Sequence, residues 1–203
     1  LLTANDAQKQ YLASNPVGVV SWDLFRVNPF PYLEVRRPFI LGTSAQKWKA
    51  TESHWFIRLL YDKGLLKRLF TQNIDGLDFQ VGIPDDLICP VHGSLSQVIC
   101  ENCKSPMDLE VFNEQVKTYI KDIYGEDDTA PPTSTEIKCP QCSLPTVKPS
   151  TVLYGRDLPK QFFQLLRTDL IDCELMLIMG TSLTVYPSAK LPSLLKPEVP
   201  KVV

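Results

Sequence analysis

Glu174-Leu175-Met176-Leu177-Ile178-Met179-Gly180-Thr181-Ser182 is the stretch that decides the fold class. Its run of apolar residues leaves no polar face. That is the pattern of a strand buried on both sides of a parallel sheet, and it stops at a glycine followed by two hydroxyl residues. Just upstream, Leu158–Leu170 offers Phe162, Phe163, Leu165 and Leu166 to the buried face of a helix. Before it, Pro149–Tyr154 reads as a strand closed by Gly155. Downstream, Ser188–Leu195 reads as helical despite Pro192, and Val199–Val203 begins a further strand. Towards the N-terminus, Thr51–Lys67 carries Trp55, Leu59, Leu60 and Leu66 at helical intervals, with Gly64 weakening its end. A strand over Leu65–Gln72 then enters the polar turn Asn73-Ile74-Asp75-Gly76. Such alternation of strand and helix predicts an α/β fold with a doubly wound parallel sheet. Ala7–Ser14 reads as a short helix stopped before Asn15-Pro16, and Trp22, Phe25, Phe30 and Tyr32 as an aromatic part of the core.

Between these segments the cysteines impose a different constraint. Four of the six form the pairs Cys100-Glu101-Asn102-Cys103 and Cys139-Pro140-Gln141-Cys142. A two-residue gap lets both thiolates of a pair face one metal ion, and two pairs complete a closed tetrahedron without an open position. The reading is therefore one structural zinc rather than a catalytic one. Two disulfides would suit a secreted chain, and nothing indicates secretion. A redox dithiol would explain one pair only. The gap between the pairs is filled by an amphipathic helix over Met107–Tyr124 and a mobile acidic loop, Gly125–Ser134. Cys89 and Cys173 read as small buried hydrophobes. The expected organisation is a helical segment and first part of the sheet domain over 1–88, a zinc module over 89–148, and the second part of the sheet domain over 149–203.

Composition bounds the function. A net charge of −2 and a pI near 5.7 give no electrostatic basis for direct nucleic-acid binding. No apolar run reaches the roughly 18 residues that a membrane span needs. The start, Leu1-Leu2-Thr3-Ala4-Asn5-Asp6, has neither an initiator Met nor a basic segment followed by an apolar core. It is expected to begin inside a longer protein.

In an open α/β sheet, ligands bind beyond the carboxyl ends of the strands. Thr71-Gln72-Asn73-Ile74-Asp75-Gly76 and Gly180-Thr181-Ser182-Leu183 occupy that position. The first offers amide and carboxylate groups for ribose hydroxyls or water; the second offers a small glycine beside hydroxyl and N–H donors. Either turn alone is also compatible with ordinary loop chemistry. Of the two histidines, His54 sits within a helix and reads as structural. His92, in Val91-His92-Gly93-Ser94, lies in a loop next to the first cysteine pair, where a general base could work near neutral pH.

Taken in order, Thr71-Gln72-Asn73-Ile74-Asp75-Gly76, His92-Gly93-Ser94, the two cysteine pairs, Val147-Lys148-Pro149 with Tyr154-Gly155, and Gly180-Thr181-Ser182-Leu183 resemble the sirtuins. Phe56–Leu66 is also similar to the helix before that family's first motif. The resemblance covers roughly residues 51–203 and is nearest the eukaryotic branch that acts on histones and tubulin. It implies a Rossmann-like sheet domain and NAD-dependent removal of acyl groups from protein lysines, giving nicotinamide and O-acyl-ADP-ribose. It further implies His92 as general base, with Asn73 and Asp75 in the catalytic set. Gln72, Asn73, Asp75, Gly180, Thr181 and Ser182 would contact NAD. Val152, Leu153, Tyr154 and Gly155 would hold the acyl-lysine peptide. A cytoplasmic or nuclear location follows, since both compartments keep thiols reduced.

The departures from the family pattern lie in specific segments. Its Gly-Ala-Gly turn and Asp-Phe-Arg element do not occur in the chain, and its Phe-Gly-Glu stands here as Tyr154-Gly155-Arg156, with a reversed charge. The 203 residues alone are therefore expected to turn over slowly or not at all. The alternative reading is a non-catalytic, zinc-stapled module that grips acyl-lysine peptides; mono-ADP-ribosyl transfer to protein would use the same cofactor.

Overall fold

Capping side chains explain where three of the longer helices begin in the computed structural model of the chain, which describes residues 2–203. In α1 (Asp6–Ser14), the Asn5 side chain accepts from the Gln8 N–H while the Gln8 side chain accepts from the Asn5 N–H. After α2 (Trp22–Phe25) and α3 (Phe30–Ser44), α4 (Glu52–Asp62) begins on a similar reciprocal cap between Thr51 and His54. The chain continues through β1 (Leu69–Thr71), α5 (Leu77–Gln80), β2 (Ile88–Pro90), β3 (Val98–Cys100) and β4 (Pro106–Met107). Asp108 caps α6 (Leu109–Tyr119) by accepting from the Val111 N–H. There follow β5 (Val147–Pro149), α7 (Lys160–Asp169), β6 (Met176–Leu177), α8 (Leu191–Leu194) and β7 (Lys201–Val202).

These elements fall into two compact units. The first comprises residues 1–49, 74–76 and 93–157. Its three-stranded antiparallel sheet, ordered β4-β3-β5, backs a core of Phe25, Tyr32, Leu33, Ile40, Phe112 and Val116. The aromatic segment near residue 30 enters that core as expected: Phe25 and Tyr32 meet edge to face at 5.3 Å. The segment 1–49 thus belongs with the cysteine pairs. The acidic loop is tied down rather than loose. Asp122 accepts from the N–H groups of Tyr124, Glu126 and Asp127, and Arg37 pairs with Asp127 at 2.6 Å.

The second unit comprises residues 50–73, 77–92 and 158–203. Here β1 and β2 pair in parallel, Phe70 opposite Cys89, and β6 and β7 pair in parallel, Met176 opposite Lys201. The chain is α/β, but its described residues form separate parallel pairs, not one continuous sheet. The apolar run 174–179 is correspondingly exposed: Leu175, Leu177 and Met179 keep 50%, 37% and 45% of their surface. The reason is that, among the described residues, β6 pairs with β7 alone. Trp55 and Leu59 of α4 also face water, while Ile57 and Tyr61 pack with Val81, Ile83 and Ile88. The helix stops at Asp62 because Gly64 turns the chain at φ +69°, so the strand starts only at Leu69. The strand expected over Pro149–Tyr154 is regular only to Pro149, after which Tyr154 makes a single bridge to Ser21. Cys89 is buried as expected, whereas Cys173 is half-exposed.

Gly93 begins the connection from His92 to β3, and its backbone at φ +77° lies against Ser150. A Cβ there would sit 2.1 Å from the Ser150 carbonyl oxygen. Gly93→Ala should therefore destabilise the chain by about 3 kcal/mol or more, combining left-handed strain with a backbone overlap. Thermal unfolding followed by circular dichroism is the check.

Candidate functional site

Each cysteine pair is held by the same short loop. In the first, the Lys104 N–H donates to the Cys100 carbonyl and the Cys100 N–H to the Ser105 carbonyl. In the second, Ser143 donates to Cys139 and Cys139 to Leu144 in the same pattern. Closing both loops forces a left-handed residue at the matching position, Lys104 at φ 61° and Ser143 at φ 60°. The four sulfur atoms lie within 4.8 Å of one another. Cys100 and Cys142, like Cys103 and Cys139, are 3.6 Å apart, far beyond a disulfide bond. A tetrahedron with Zn–S near 2.3 Å has edges of about 3.8 Å, so the set fits zinc.

The thiols respond unequally to being crowded together. A hydrogen bond with the Ser105 hydroxyl is the main influence that draws Cys139 down to about 6. The Leu144 N–H favours the Cys142 thiolate, but burial and Cys100 outweigh it and push that thiol up to about 11. A bound dication removes this conflict, because it stabilises all four sulfurs as thiolates.

Directly after Cys100 a buried charge network continues into the segment 148–156. Lys148 is fully buried, and its Nζ lies 3.0 Å from Glu101 Oε1 while donating to the carbonyls of Pro149 and Thr151. Burial lowers the Lys148 ammonium to about 8 against the pull of Glu101. Burial would raise the Glu101 carboxyl, but Lys148, and then Lys104, reverse this and hold it below the usual range. Tyr32 meets Thr151 at 2.7 Å from the other side. Arg156 joins Glu101 at 3.4 Å and stacks on the Trp22 ring at 4.6 Å. Sequence reasoning missed this network, although a lysine set between Val147 and Pro149 in a strand was a visible signal of it.

The residues expected to hold an acyl-lysine peptide, Val152, Leu153, Tyr154 and Gly155, fall on this segment. Leu153 is buried and its carbonyl accepts from the Arg156 N–H. Tyr154 donates its N–H to the Val20 carbonyl and accepts from the Trp22 N–H. Val152 is half-buried, and Gly155 is exposed.

In the second unit, Gln72 joins three segments that are distant in sequence. Its carbonyl accepts from His92 Nδ1 at 3.1 Å, and its side-chain amide donates to the Thr181 hydroxyl at 3.2 Å. A carbonyl can only accept, so neutral His92 carries its proton on Nδ1 and leaves the Nε2 lone pair open. Nε2 is buried and has no protein partner. Thr181 also accepts from the Leu183 N–H, while Gly180 and Leu183 take left-handed backbone conformations that turn the chain around it. Ser182 is exposed and bonds Thr184 instead. Gln72, Asn73, Gly180 and Thr181 line one end of a cavity of about 770 Å³. Asp75 lies in the first unit, beside Ile74, whose carbonyl accepts from the Leu95 N–H. His54 stays structural, with Nδ1 on Thr51 and Nε2 3.8 Å from Asp78.

A cysteine tetrad fit for structural zinc, and a parallel-strand unit with a histidine, an amide and a hydroxyl at its strand ends, define a zinc-stapled α/β protein. Residues 5–187 match the Sir2 family, and the chain belongs to that family. It is 37% identical over 172 residues to the NAD-dependent protein deacetylase HST2 of Candida albicans, covering 84% of this chain and 45% of the relative. It is 33% identical to the NAD-dependent protein deacetylase SIR2rp1 of Leishmania major, covering 95% of this chain and 47% of that protein. The NAD-dependent protein deacetylase sirtuin-2 of Danio rerio is 31% identical, with 96% and 46% covered. The chain spans about half the length of these curated relatives.

Two outcomes follow from this geometry. Cys139→Ala should lower bound zinc from about one equivalent per chain to nearly none by elemental analysis, with loss of cooperative unfolding in the first unit. Glu101→Gln should cost about 3–5 kcal/mol, because it strands a buried ammonium, whereas Glu101→Gln with Lys148→Met should recover much of the loss. Chemical denaturation of the two variants measures the difference.

Proposed function

We propose that this chain carries the core of an NAD-dependent protein-lysine deacylase, with Cys100, Cys103, Cys139 and Cys142 holding a structural zinc. The observation that carries the reading is His92: its Nδ1 is committed to the Gln72 carbonyl while its Nε2 is buried and unpaired. A buried nitrogen lone pair without a partner is costly unless a ligand hydroxyl completes it. When bound, NAD would supply a ribose carbon activated by its nicotinamide leaving group. His92 Nε2 would take a proton from a ribose hydroxyl, and Nδ1–H···O=C from Gln72 would hold the ring through that transfer. Asn73 and Asp75 belong to the catalytic set in this reading, with Gln72, Gly180, Thr181 and Ser182 towards the cofactor.

Val152, Leu153, Tyr154 and Gly155 are the segment for the acyl-lysine peptide. Because Val20 and Trp22 already use both backbone groups of Tyr154, the peptide would pair along the segment's other edge, towards Gly155. Buried Lys148 supports this role by fixing the carbonyls of Pro149 and Thr151. The finer elements of the proposal are a doubly wound sheet, substrates of the histone or tubulin class, and a cytoplasmic or nuclear location. The sheet rests on the two parallel pairs, and the location on reduced cysteines.

Nicotinamide release from NAD and an acetyl-lysine peptide, measured on a protein that joins this chain to the family's Gly-Ala-Gly and Asp-Phe-Arg segments, tests the reading. His92→Ala should lower the rate by roughly 10²–10⁴-fold with zinc content unchanged. A wild-type rate in that variant would remove His92 from the base role.

A further inference from the structure

The segment 152–155 ends in a turn that sets one charged side chain beside it. The Arg156 N–H donates to the Leu153 carbonyl at 3.0 Å, and Gly155 takes φ +85° to close that turn. Both backbone groups of Tyr154 are used by Val20 and Trp22. Among the described residues, this leaves the Leu153 N–H and both groups of Gly155 without a backbone partner. Successive residues of an extended chain direct these groups to opposite edges, so those of Leu153 and Gly155 face away from Val20 and Trp22. A strand paired there runs directly past Arg156.

The Arg156 guanidinium is held in place but poorly satisfied. It lies 4.6 Å from the centre of the Trp22 ring, which limits where it can swing. Among the described residues its one charged partner is Glu101, reached through Oε2 at 3.4 Å. That oxygen already receives Lys104 at 2.6 Å, and Oε1 lies 3.0 Å from Lys148. Both Glu101 and Lys148 are buried, so their pair cannot loosen without stranding a charge. Arg156 is therefore the third cation on one carboxylate, joined to an oxygen that is taken. A guanidinium carries five N–H donors in a planar fork, and one long contact leaves most of them free. The side chain keeps 36% of its surface exposed. The next carboxylate along the chain, Asp157, is exposed and forms no ion pair among the described residues.

We propose that Arg156 selects acyl-lysine peptides that carry an acidic residue close to the modified lysine. The inference rests on the deacylase reading and on its use of the segment 152–155 for the peptide. Backbone pairing with Gly155 tolerates many sequences, so discrimination has to come from a side chain beside the paired edge. A peptide carboxylate that reaches Arg156 meets two parallel N–H donors, a bidentate geometry that Glu101, with both oxygens engaged, does not provide. The Trp22 stack holds the fork ready and reduces the entropy lost when it is used. A lysine at the same peptide position would face Arg156 and be repelled. A glutamate at position 156 would set the opposite preference. The reversed charge of Tyr154-Gly155-Arg156 thus alters which peptides are drawn in, and not the chemistry performed on them.

Binding of fluorescein-labelled acetyl-lysine peptides to the zinc-loaded chain, read by fluorescence anisotropy at low salt, tests it. The peptides are otherwise uncharged and place Glu, Gln or Lys in turn at each of the three positions on either side of the acetyl-lysine. At one position or more, the Glu peptide should bind roughly fivefold or more tighter than the Lys peptide, and the difference should shrink at high salt. Arg156→Gln should remove the preference and Arg156→Glu should reverse it, with zinc content and the circular dichroism spectrum unchanged. The Gln variant alone decides the matter if Arg156→Glu does not fold. Equal affinity across the series, or a Glu preference that survives Arg156→Gln, overturns the proposal and leaves the deacylase reading standing, since nicotinamide release tests that separately. If no acetyl-lysine peptide binds, both this proposal and the assignment of the segment 152–155 to the peptide fall.

Discussion

Four sulfur atoms brought within 4.8 Å of one another are the constraint on which the first unit depends. Two knuckle loops, each closed by the same pair of backbone hydrogen bonds, present them, and each loop accepts a strained left-handed residue to do so. Without a cation the thiols compete for a limited amount of negative charge; with one, the tetrahedron links residues 100–103 to 139–142. The helix α6 and the pinned acidic loop between them are then a long excursion with both ends fixed. Glu101 extends the constraint. It follows a metal-site cysteine, and its carboxylate compensates the buried Lys148, which in turn orders the carbonyls of Pro149 and Thr151. Metal site, ion pair and the segment 148–156 form one mechanical chain.

The second unit is organised around Gln72 in a comparable way. One residue at the end of β1 uses its carbonyl to orient His92 and its side chain to reach Thr181. The consequence is chemical as well as structural, because orienting the imidazole through Nδ1 decides which nitrogen keeps a lone pair. That nitrogen is buried without a partner, while the polar turns beside it line a cavity large enough for a ligand group. Leu175, Leu177 and Met179 stay exposed on β6, which among the described residues pairs with β7 alone.

Legibility in the sequence followed the range of the physical cause. The cysteine pairs were readable because two-residue spacing is a local property and a closed tetrahedron needs two such pairs. The α/β class and the presence of α6 were readable from apolar spacing, although that helix, expected over Met107–Tyr124, runs from Leu109 to Tyr119. Helix and strand limits were less so: Gly64 ended α4 early, and the strand expected through Tyr154 stopped at Pro149. The apolar run 174–179 misled in one respect, because apolarity states what a segment could bury and not what lies beside it. Lys148 shows the opposite case, a charge that the sequence would place in water and the fold keeps fully buried against Glu101.

What the sequence by itself determined is therefore the inventory: a zinc-competent tetrad, two polar turns, one histidine beside a glycine, and membership of a family carried by ordered motifs. Tertiary structure alone decided which of these meet. It set the Gln72 carbonyl, and not another acceptor, on His92 Nδ1. It also paired Glu101 with Lys148 and placed residues of β1 and β6 around one cavity. The physical reason is the same in each case. Such contacts join residues from about 20 to more than 100 positions apart, and their geometry is set by packing and backbone pairing rather than by any local preference.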